Sequence, residues 1–337
     1  MLKYRHRQSW SLGALTVFLL PLTLVIGGNR CSALLADDAT VRVVVSEGPE
    51  LPSSMAGHVG GIVGHRPVVA GGSRWSVDQK TKRWLHECFV FRDGPSLPGP
   101  CSDAAYVTGS RGFYLAGGTN GKQASTQVLF LADTSANASW QPLASLPQPI
   151  EAASGALLSD KFYVIGGFSG DRASSQIWEL DLDSPTATWT ERAPLPAEGR
   201  GYAAVTAVGS QLYVFGGFTS PPSEPQTKIF GDADRYQPAI NVWKRLEGFD
   251  MPGYAWTATA IGERKILLIG RVPKLKTVTD EVWLVDLEAM KARSIGRLVT
   301  PACCMLAIPN GVKTWWFPGG EPDTNRNHTT RTSILTF

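Results

Sequence analysis

An apolar segment that ends in two glycines recurs along the chain, and this repetition constrains the fold more than any other feature. The clearest copies are Phe113–Gly118, Phe162–Gly167 and Leu212–Gly217. Weaker copies have their first glycine at residues 71, 270 and 319, and the fifth copy carries Arg271 in place of its second glycine. The first glycines of consecutive copies lie 46 to 54 residues apart, a regular period that is typical of proteins built from repeats. The sequence therefore predicts six structural repeats.

Each repeat has the pattern of a four-stranded antiparallel sheet. In the fourth copy, an apolar strand over 202–208 is followed by a turn at Gly209 and Ser210 and by the strand that ends in the glycines. A third strand follows, as at Gln176–Leu180, and a fourth carries a tryptophan and ends in Leu-Pro, as at Trp189–Pro196. Sheets of four strands repeated around a channel form a β-propeller, and kelch blades have a period of about 50 residues. We therefore predict an all-β fold, a six-bladed kelch-type β-propeller over residues 40–337.

The last repeat contains only three strands, which predicts how the ring closes. The missing fourth strand is available near the N-terminus in Val41–Pro52, which has the Leu-Pro ending of the other fourth strands. An open propeller would expose unpaired strand edges at both ends. We therefore expect Val41–Ser46 to pair with Ser333–Phe337.

The composition of the chain limits the kinds of molecule that it is expected to bind. Charged residues make up 18% of the chain and the net charge is +3, which is too small for a nucleic-acid footprint. The 35 glycines suit many short strands joined by tight turns. The expected partner is instead a small-molecule sugar or a glycan at the channel mouth.

Residues 1–36 have the pattern of a signal peptide. Lys3, Arg5 and Arg7 precede an apolar run over Leu12–Ile26, and small residues around Ala33 suggest cleavage near residues 33–36. An uncleaved membrane anchor is the alternative, since the run approaches the length of a short spanning helix. We expect a periplasmic or secreted protein, with membrane contact only if this segment is retained.

The cysteines and histidines do not predict a metal site or a cofactor. After the signal peptide there remain Cys88, Cys101, Cys303 and Cys304, which allow three disulfide pairings or could be buried free thiols. Their spacing lacks the paired Cys-x-x-Cys of zinc sites. The few histidines are scattered, which argues against a copper radical oxidase.

Candidate functional residues lie where the strands of each blade meet one face of the propeller. Polar residues at the start of the first strands include Ser102, Glu151 and Arg200, with a solvated rim as the alternative. The blade-1 loop over 73–84 offers Arg74 and Trp75, a cation and an aromatic face suited to an anionic sugar, although it could be simply an exposed loop.

The blade-6 loop over 319–332 sets Glu321 at its start and Arg331 at its end. A loop that returns to the sheet brings its ends together, so these two side chains could face one pocket. They could equally form a salt bridge that pins the loop.

The Gly-Gly-Glu sequence ending at Glu321, with Arg331-Thr332 after it, resembles the sialic acid mutarotases, the N-acetylneuraminate epimerases, in a circularly permuted branch. Blade 4 is also similar, over Leu212–Leu246. The resemblance implies interconversion of the anomers of N-acetylneuraminate, with Glu321 and Arg331 as catalytic residues and Arg331 on the substrate carboxylate. The gap between them is longer than in the family, which leaves Arg326 as a rival. Arg200, Arg74 and Trp75 are expected to bind substrate. The alternative is a non-enzymatic kelch propeller that binds a glycan or a protein.

Overall fold

The computed structural model describes residues 43–89, 94–184, 186–196, 198–219, 227–311, 313–325 and 327–337. These residues form strands, turns and loops, and no helix occurs among them. Accordingly, the described residues include no helix of the length and apolar character needed to cross a membrane. The expected signal peptide over 1–36 and the rival Arg326 lie outside the described residues.

Six antiparallel sheets follow one another along the chain and confirm the predicted six-bladed propeller. The blades consist of these strands: Val59–Val63, Arg66–Ala70 and Cys88–Phe89 in blade 1; Ala105–Gly109, Gly112–Ala116, Val128–Leu131 and Gln141–Pro142 in blade 2; Ser154–Leu158, Lys161–Ile165, Ile177–Asp181 and Thr190–Arg192 in blade 3; Ala204–Val208, Gln211–Phe215, Ala233–Gln237 and Val242–Arg245 in blade 4; Thr257–Ile261, Lys265–Ile269, Glu281–Asp286 and Lys291–Arg297 in blade 5; Ile308–Pro309, Thr314–Pro318, Thr332–Thr336 and Val44–Glu47 in blade 6. Two short hairpins project between second and third strands, Ser73–Trp75 with Lys82–Trp84 in blade 1 and Phe168–Ser169 with Arg172–Ala173 in blade 3.

Blade 6 is closed by the N-terminal strand, as the sequence predicted. Val44–Glu47 pairs antiparallel with the last strand, so that Val44 lies opposite Thr336 and Glu47 lies opposite Ser333. The pairing continues where the Gly48 N–H donates to the Thr332 carbonyl at 2.8 Å. Residues 41 and 42 of the expected strand lie outside the described residues. The closure leaves the last strand of blade 6 with a partner on both sides.

The recurrent tryptophan of the fourth strand links neighbouring blades. The indole N–H of Trp140 donates to the Pro95 carbonyl at 2.7 Å, and that of Trp189 donates to the Ala144 carbonyl at 2.8 Å. Trp243 repeats the contact with the Ala193 carbonyl at 2.9 Å. Each ring also packs against the core between its own blade and the preceding one. Burying a large ring while satisfying its only donor stabilises the blade interface.

The glycine pair makes a second link between blades. The second glycine donates its N–H to a carbonyl of the following blade, as from Gly118 to Ile150 and from Gly167 to Arg200, both at 2.9 Å. The φ angle of Gly167 is 93°, a conformation that residues with a Cβ rarely adopt. A Cβ on Gly166 would lie 2.3 Å from the Arg200 carbonyl oxygen. Both glycines are therefore needed for close approach of one blade to the next.

Candidate functional site

A closed ring of backbone hydrogen bonds surrounds the central channel at one face. One residue from each blade precedes the first strand, has a φ angle between 50° and 62°, and donates its N–H to the carbonyl of its counterpart in the preceding blade. The six residues are Gly57, Asp103, Ala152, Tyr202, Ala255 and Cys304, joined at 2.7 to 3.2 Å. The ring is closed because the N–H of Gly57 in blade 1 donates to the carbonyl of Cys304 in blade 6. It fixes three functional side chains, those of Asp103, Tyr202 and Cys304, around the axis.

Cavities lie on both sides of this ring. The outer cavity, of about 410 Å³, is the mouth, and it is lined by Lys82, Asp103, Tyr202, Cys304 and Glu321 among others. The inner cavity, of about 190 Å³, continues between the first strands and shares Asp103, Tyr202 and Cys304 with the mouth. Concave sites with a few convergent polar groups are the usual form of small-molecule sites. The mouth is therefore the candidate functional site.

Asp103 is a buried carboxyl at the centre of this site. The Ser102 hydroxyl donates to its Oδ2 at 2.7 Å, and the Tyr202 hydroxyl donates to it from blade 4. Burial raises the pKa of the Asp103 carboxyl above its usual value, with the charge of Glu321 acting in the same direction, although the two hydrogen bonds and Lys82 oppose the shift. Burial and the neighbouring Asp103 likewise raise the pKa of Tyr202 well above its usual value. This environment shifts the Asp103 carboxyl toward its protonated form relative to an exposed aspartate.

Glu321 enters the mouth from blade 6. Its backbone pairs with Cys303 through two hydrogen bonds, of 2.9 and 3.0 Å, which hold the start of the loop against the first-strand segment. Its side chain is 31% exposed, and Oε1 lies 3.3 Å from Nε2 of His328, whose side chain is buried. Of the two residues that the sequence predicted to face one pocket, Glu321 lines the mouth, and its catalytic role stays a prediction.

Lys82 supplies positive charge to the mouth. It begins the second strand of the blade-1 hairpin, and its Nζ lies 6.0 Å from the centre of the Trp75 ring and 5.6 Å from that of Trp84. Both distances are within the range of a cation–π attraction. Two aromatic rings therefore hold the ammonium group beside the cavity.

The adjacent thiols of Cys303 and Cys304 also line the mouth. A hydrogen bond with Cys303, followed by burial, raises the pKa of the Cys304 thiol well above its usual value. Burial also raises the pKa of Cys88 and of Cys101 to about 12. No disulfide joins the four cysteines of the described residues, which matches the free-thiol alternative of the sequence analysis.

Arg331 lies away from the mouth. Its Nη1 donates to the Thr300 hydroxyl at 3.2 Å and lies 3.7 Å from Oε1 of Glu47, and its side chain is 55% exposed. Arg331 is not among the residues that line the cavity containing Glu321. The two ends of the blade-6 loop therefore do not bring these side chains together, and the Glu321–Arg331 salt bridge offered as the alternative is not formed either.

The Arg200 side chain is buried within blade 4 and does not lie on the rim. Its Nη1 pairs with Asp232 Oδ1 at 2.6 Å and donates to the Gly216 carbonyl at 3.1 Å, and its guanidinium lies 3.9 Å from the centre of the Phe230 ring. The side chain has no exposed surface. A buried charge with these partners is a structural element of blade 4, and it does not line the mouth.

The other predicted residues surround the site without entering it. Arg74 and Trp75 lie on the first strand of the blade-1 hairpin, half-buried, and Trp75 contributes by flanking Lys82. Glu151 is half-buried and pairs with Phe168 through its backbone. Ser102 is fully buried, and its hydroxyl donates a hydrogen bond to Asp103. The roles assigned to all these residues from the sequence stay predictions.

Sequence reasoning missed Asp103, Tyr202 and Lys82. In blades 1 to 4 the ring residue lies one position after the one selected by counting back from the glycine, so Ser102 was named and Asp103 was not. The sequence did contain a signal for Asp103, because it is a polar residue directly after Ser102, the residue selected by this count. Lys82 belongs to the blade-1 loop over 73–84, from which the sequence analysis selected Arg74 and Trp75 instead.

Residues 140–294 match a family model described as N-acetylneuraminate epimerase. This match and the six-bladed fold support the family predicted from the sequence, the kelch-like sialic acid mutarotases. The match covers blades 3 to 5 and includes Tyr202, whereas Asp103 and Glu321 lie outside it. A comparison with curated proteins gave no match.

Proposed function

We propose that this protein is a mutarotase that interconverts the anomers of an acidic sugar such as N-acetylneuraminate. One observation carries the proposal: two acidic residues from different blades, Asp103 and Glu321, line one cavity together with Lys82, and the charges of Glu321 and Lys82 both act on the Asp103 carboxyl. The match to the N-acetylneuraminate epimerase family supports the choice of sugar.

Anomer exchange requires two proton transfers on one sugar ring. A base takes the proton of the anomeric hydroxyl while an acid protonates the ring oxygen, and the bond between the anomeric carbon and the ring oxygen breaks. Rotation about the adjacent carbon–carbon bond and the reverse transfers then close the ring on the opposite face. In this mechanism Glu321 takes the hydroxyl proton and Asp103 gives its proton to the ring oxygen. A carboxyl whose environment shifts it toward the protonated form is suited to the second role.

Lys82 is the proposed partner of the substrate carboxylate. It is a cation that lines the mouth, whereas the contacts of Arg331 are with Glu47 and Thr300. The rings of Trp75 and Trp84 would limit the motion of the lysine and hold its charge in place.

Export is a separate part of the proposal. The charged start and the apolar run over Leu12–Ile26 support a signal peptide and a periplasmic or secreted mature protein. Mass spectrometry of protein from the extracytoplasmic fraction is expected to find an N-terminus near residues 33–36. An intact N-terminus in the membrane fraction would indicate the anchor instead.

The activity can be measured by NMR as anomeric exchange in freshly dissolved N-acetylneuraminate. We expect the wild type to accelerate exchange, and Glu321→Gln and Asp103→Asn each to reduce the catalysed rate by about 100-fold or more. Glu151→Gln is a matched control, because Glu151 is a carboxylate of the same face that does not line the mouth. Sugar binding without accelerated exchange in the wild type would favour the non-enzymatic propeller. Full activity of both variants would refute the proposed roles.

A further inference from the structure

Two thiols and a carboxylate converge in the mouth. One ligand atom from each of Cys303, Cys304 and Glu321, the two Sγ atoms and a carboxylate oxygen, lie within 4.8 Å of one another. Adjacent residues of a strand normally point to opposite faces. Cys304 has a φ angle of 51°, imposed by its place in the hydrogen-bonded ring, and this breaks the alternation. Both thiols therefore line the same cavity.

His328 gives a second, independent indication of a ligand. Its side chain is 1% exposed, and neither ring nitrogen has a hydrogen-bond partner among the described residues. Its Nε2 lies 3.3 Å from Oε1 of Glu321. Buried polar groups normally find a partner, because leaving one unsatisfied costs about 1–3 kcal/mol. An imidazole beside the carboxylate of a metal site commonly orients that carboxylate or joins it as a ligand.

The arrangement fits a small, soft cation. For ligand atoms about 2.0 to 2.3 Å from a Zn²⁺ ion, tetrahedral geometry separates them by about 3.3 to 3.8 Å, which is inside the observed spread. Thiolates select soft or borderline ions, and three protein ligands leave one position open to the cavity. We propose that Cys303, Cys304 and Glu321 bind a thiophilic divalent cation, Zn²⁺ or Cd²⁺, with His328 positioning Glu321.

Spacing along the sequence could not predict this set. The two cysteines are adjacent instead of separated by two residues, and Glu321 comes from the far side of a hairpin. A bound dication offsets the cost of ionising buried thiols, so binding releases protons. It also removes the Glu321 carboxylate from proton transfer, which makes the cation and an acidic sugar competitors for the mouth.

Cadmium titration tests the proposal without any sugar, so its failure and that of the proposed function are distinguishable. Cd²⁺ is added to reduced full-length protein while the ultraviolet absorption of cadmium–thiolate bonds is recorded. We expect saturation at one Cd²⁺ per chain, loss of the band in Cys303→Ser and Cys304→Ser, and binding about 10-fold weaker or more in His328→Asn. Cys101→Ser is the matched control, because Cys101 is a partly buried thiol outside this cavity.

Two outcomes would overturn the site. The first is no cadmium–thiolate band in the reduced wild type, and the second is a band that persists when Cys304 is replaced. Circular dichroism establishes that each variant is folded. If Cys303→Ser unfolds because this residue is buried in the core, Cys304→Ser alone gives the test.

Discussion

Nε2 of His58 lies 3.0 Å from the carbonyl oxygen of Pro318 and joins the first blade to the last. This imidazole is buried, and burial lowers its pKa from 6.5 to about 4. The nearby His328 acts in the same direction, whereas the bond to Pro318 opposes the shift. A buried histidine that is neutral at pH 7 is therefore part of the contact between the first and the last blade.

Acid is expected to destabilise the propeller through His58. Between pH 6.5 and about 4 the unfolded chain binds a proton at this site and the folded chain does not, so stability falls as the pH decreases through this window. The full shift corresponds to about 3 kcal/mol. Urea unfolding of His58→Gln between pH 7 and pH 4 should show a shallower decline than that of the wild type. His65→Gln, at an exposed turn, should keep the wild-type slope; equal slopes in all three proteins would contradict the assignment.

The close contact of Gly57 with Asp103 gives a second prediction. A Cβ on Gly57 would lie 2.5 Å from Asp103 Oδ1 and 2.6 Å from the Ser102 hydroxyl oxygen, whereas one on Gly64 has nothing within 4 Å. Both glycines have positive φ angles, 62° and 52°, so an alanine would suffer similar backbone strain at either position. We expect Gly57→Ala to reduce the free energy of unfolding by about 1–3 kcal/mol more than Gly64→Ala. Denaturant unfolding measures the difference, and equal losses would mean that the mouth tolerates the displacement of Asp103.

Arg200→Ala and Arg331→Ala are expected to differ in how much they destabilise the protein. Arg200 is fully buried, and Arg200→Ala removes its ion pair with Asp232 and its contact with the Phe230 ring, although Arg245 still pairs with Asp232 at 2.7 Å. The loss of this buried side chain should cost about 2–5 kcal/mol. Arg331 is half-exposed and 3.7 Å from Glu47, so Arg331→Ala should change stability by less than about 1 kcal/mol. Thermal and urea unfolding compare the two. A stable Arg200→Ala protein that binds sugar weakly would instead support the substrate-binding role expected from the sequence.

The fold was readable from the sequence because its determinants are local and repeated. The glycine pair at Gly166 and Gly167, the fourth-strand Trp189 and the partner strand near Val44 each make one contact that recurs in other blades or completes a blade. Repetition identifies such residues without knowledge of the structure.

The site was only partly readable, because it is built where the repeats differ. Glu321 was found, but its distance along the loop to Arg331 did not reveal that this arginine turns toward Glu47. Asp103 and Tyr202 meet only because the hydrogen-bonded ring brings blades 2 and 4 to one axis. Contacts of this kind depend on the radius of the closed ring, which no single repeat encodes.

Lys82 and Arg331 make opposing predictions about how an acidic sugar is recognised. If Lys82 holds the carboxylate, Lys82→Met should weaken binding of N-acetylneuraminate by about 10- to 100-fold, the loss expected for one charged hydrogen bond. The methyl ester of the same sugar lacks the negative charge and should bind to the variant and the wild type with similar affinity. Lys80→Met is the control, since Lys80 is an exposed lysine on the same hairpin that does not line the mouth. Calorimetric titration of both ligands gives the comparison. A larger loss of affinity in Arg331→Ala than in Lys82→Met would indicate that Arg331 binds the substrate carboxylate. The blade-6 loop would then have to rearrange on binding.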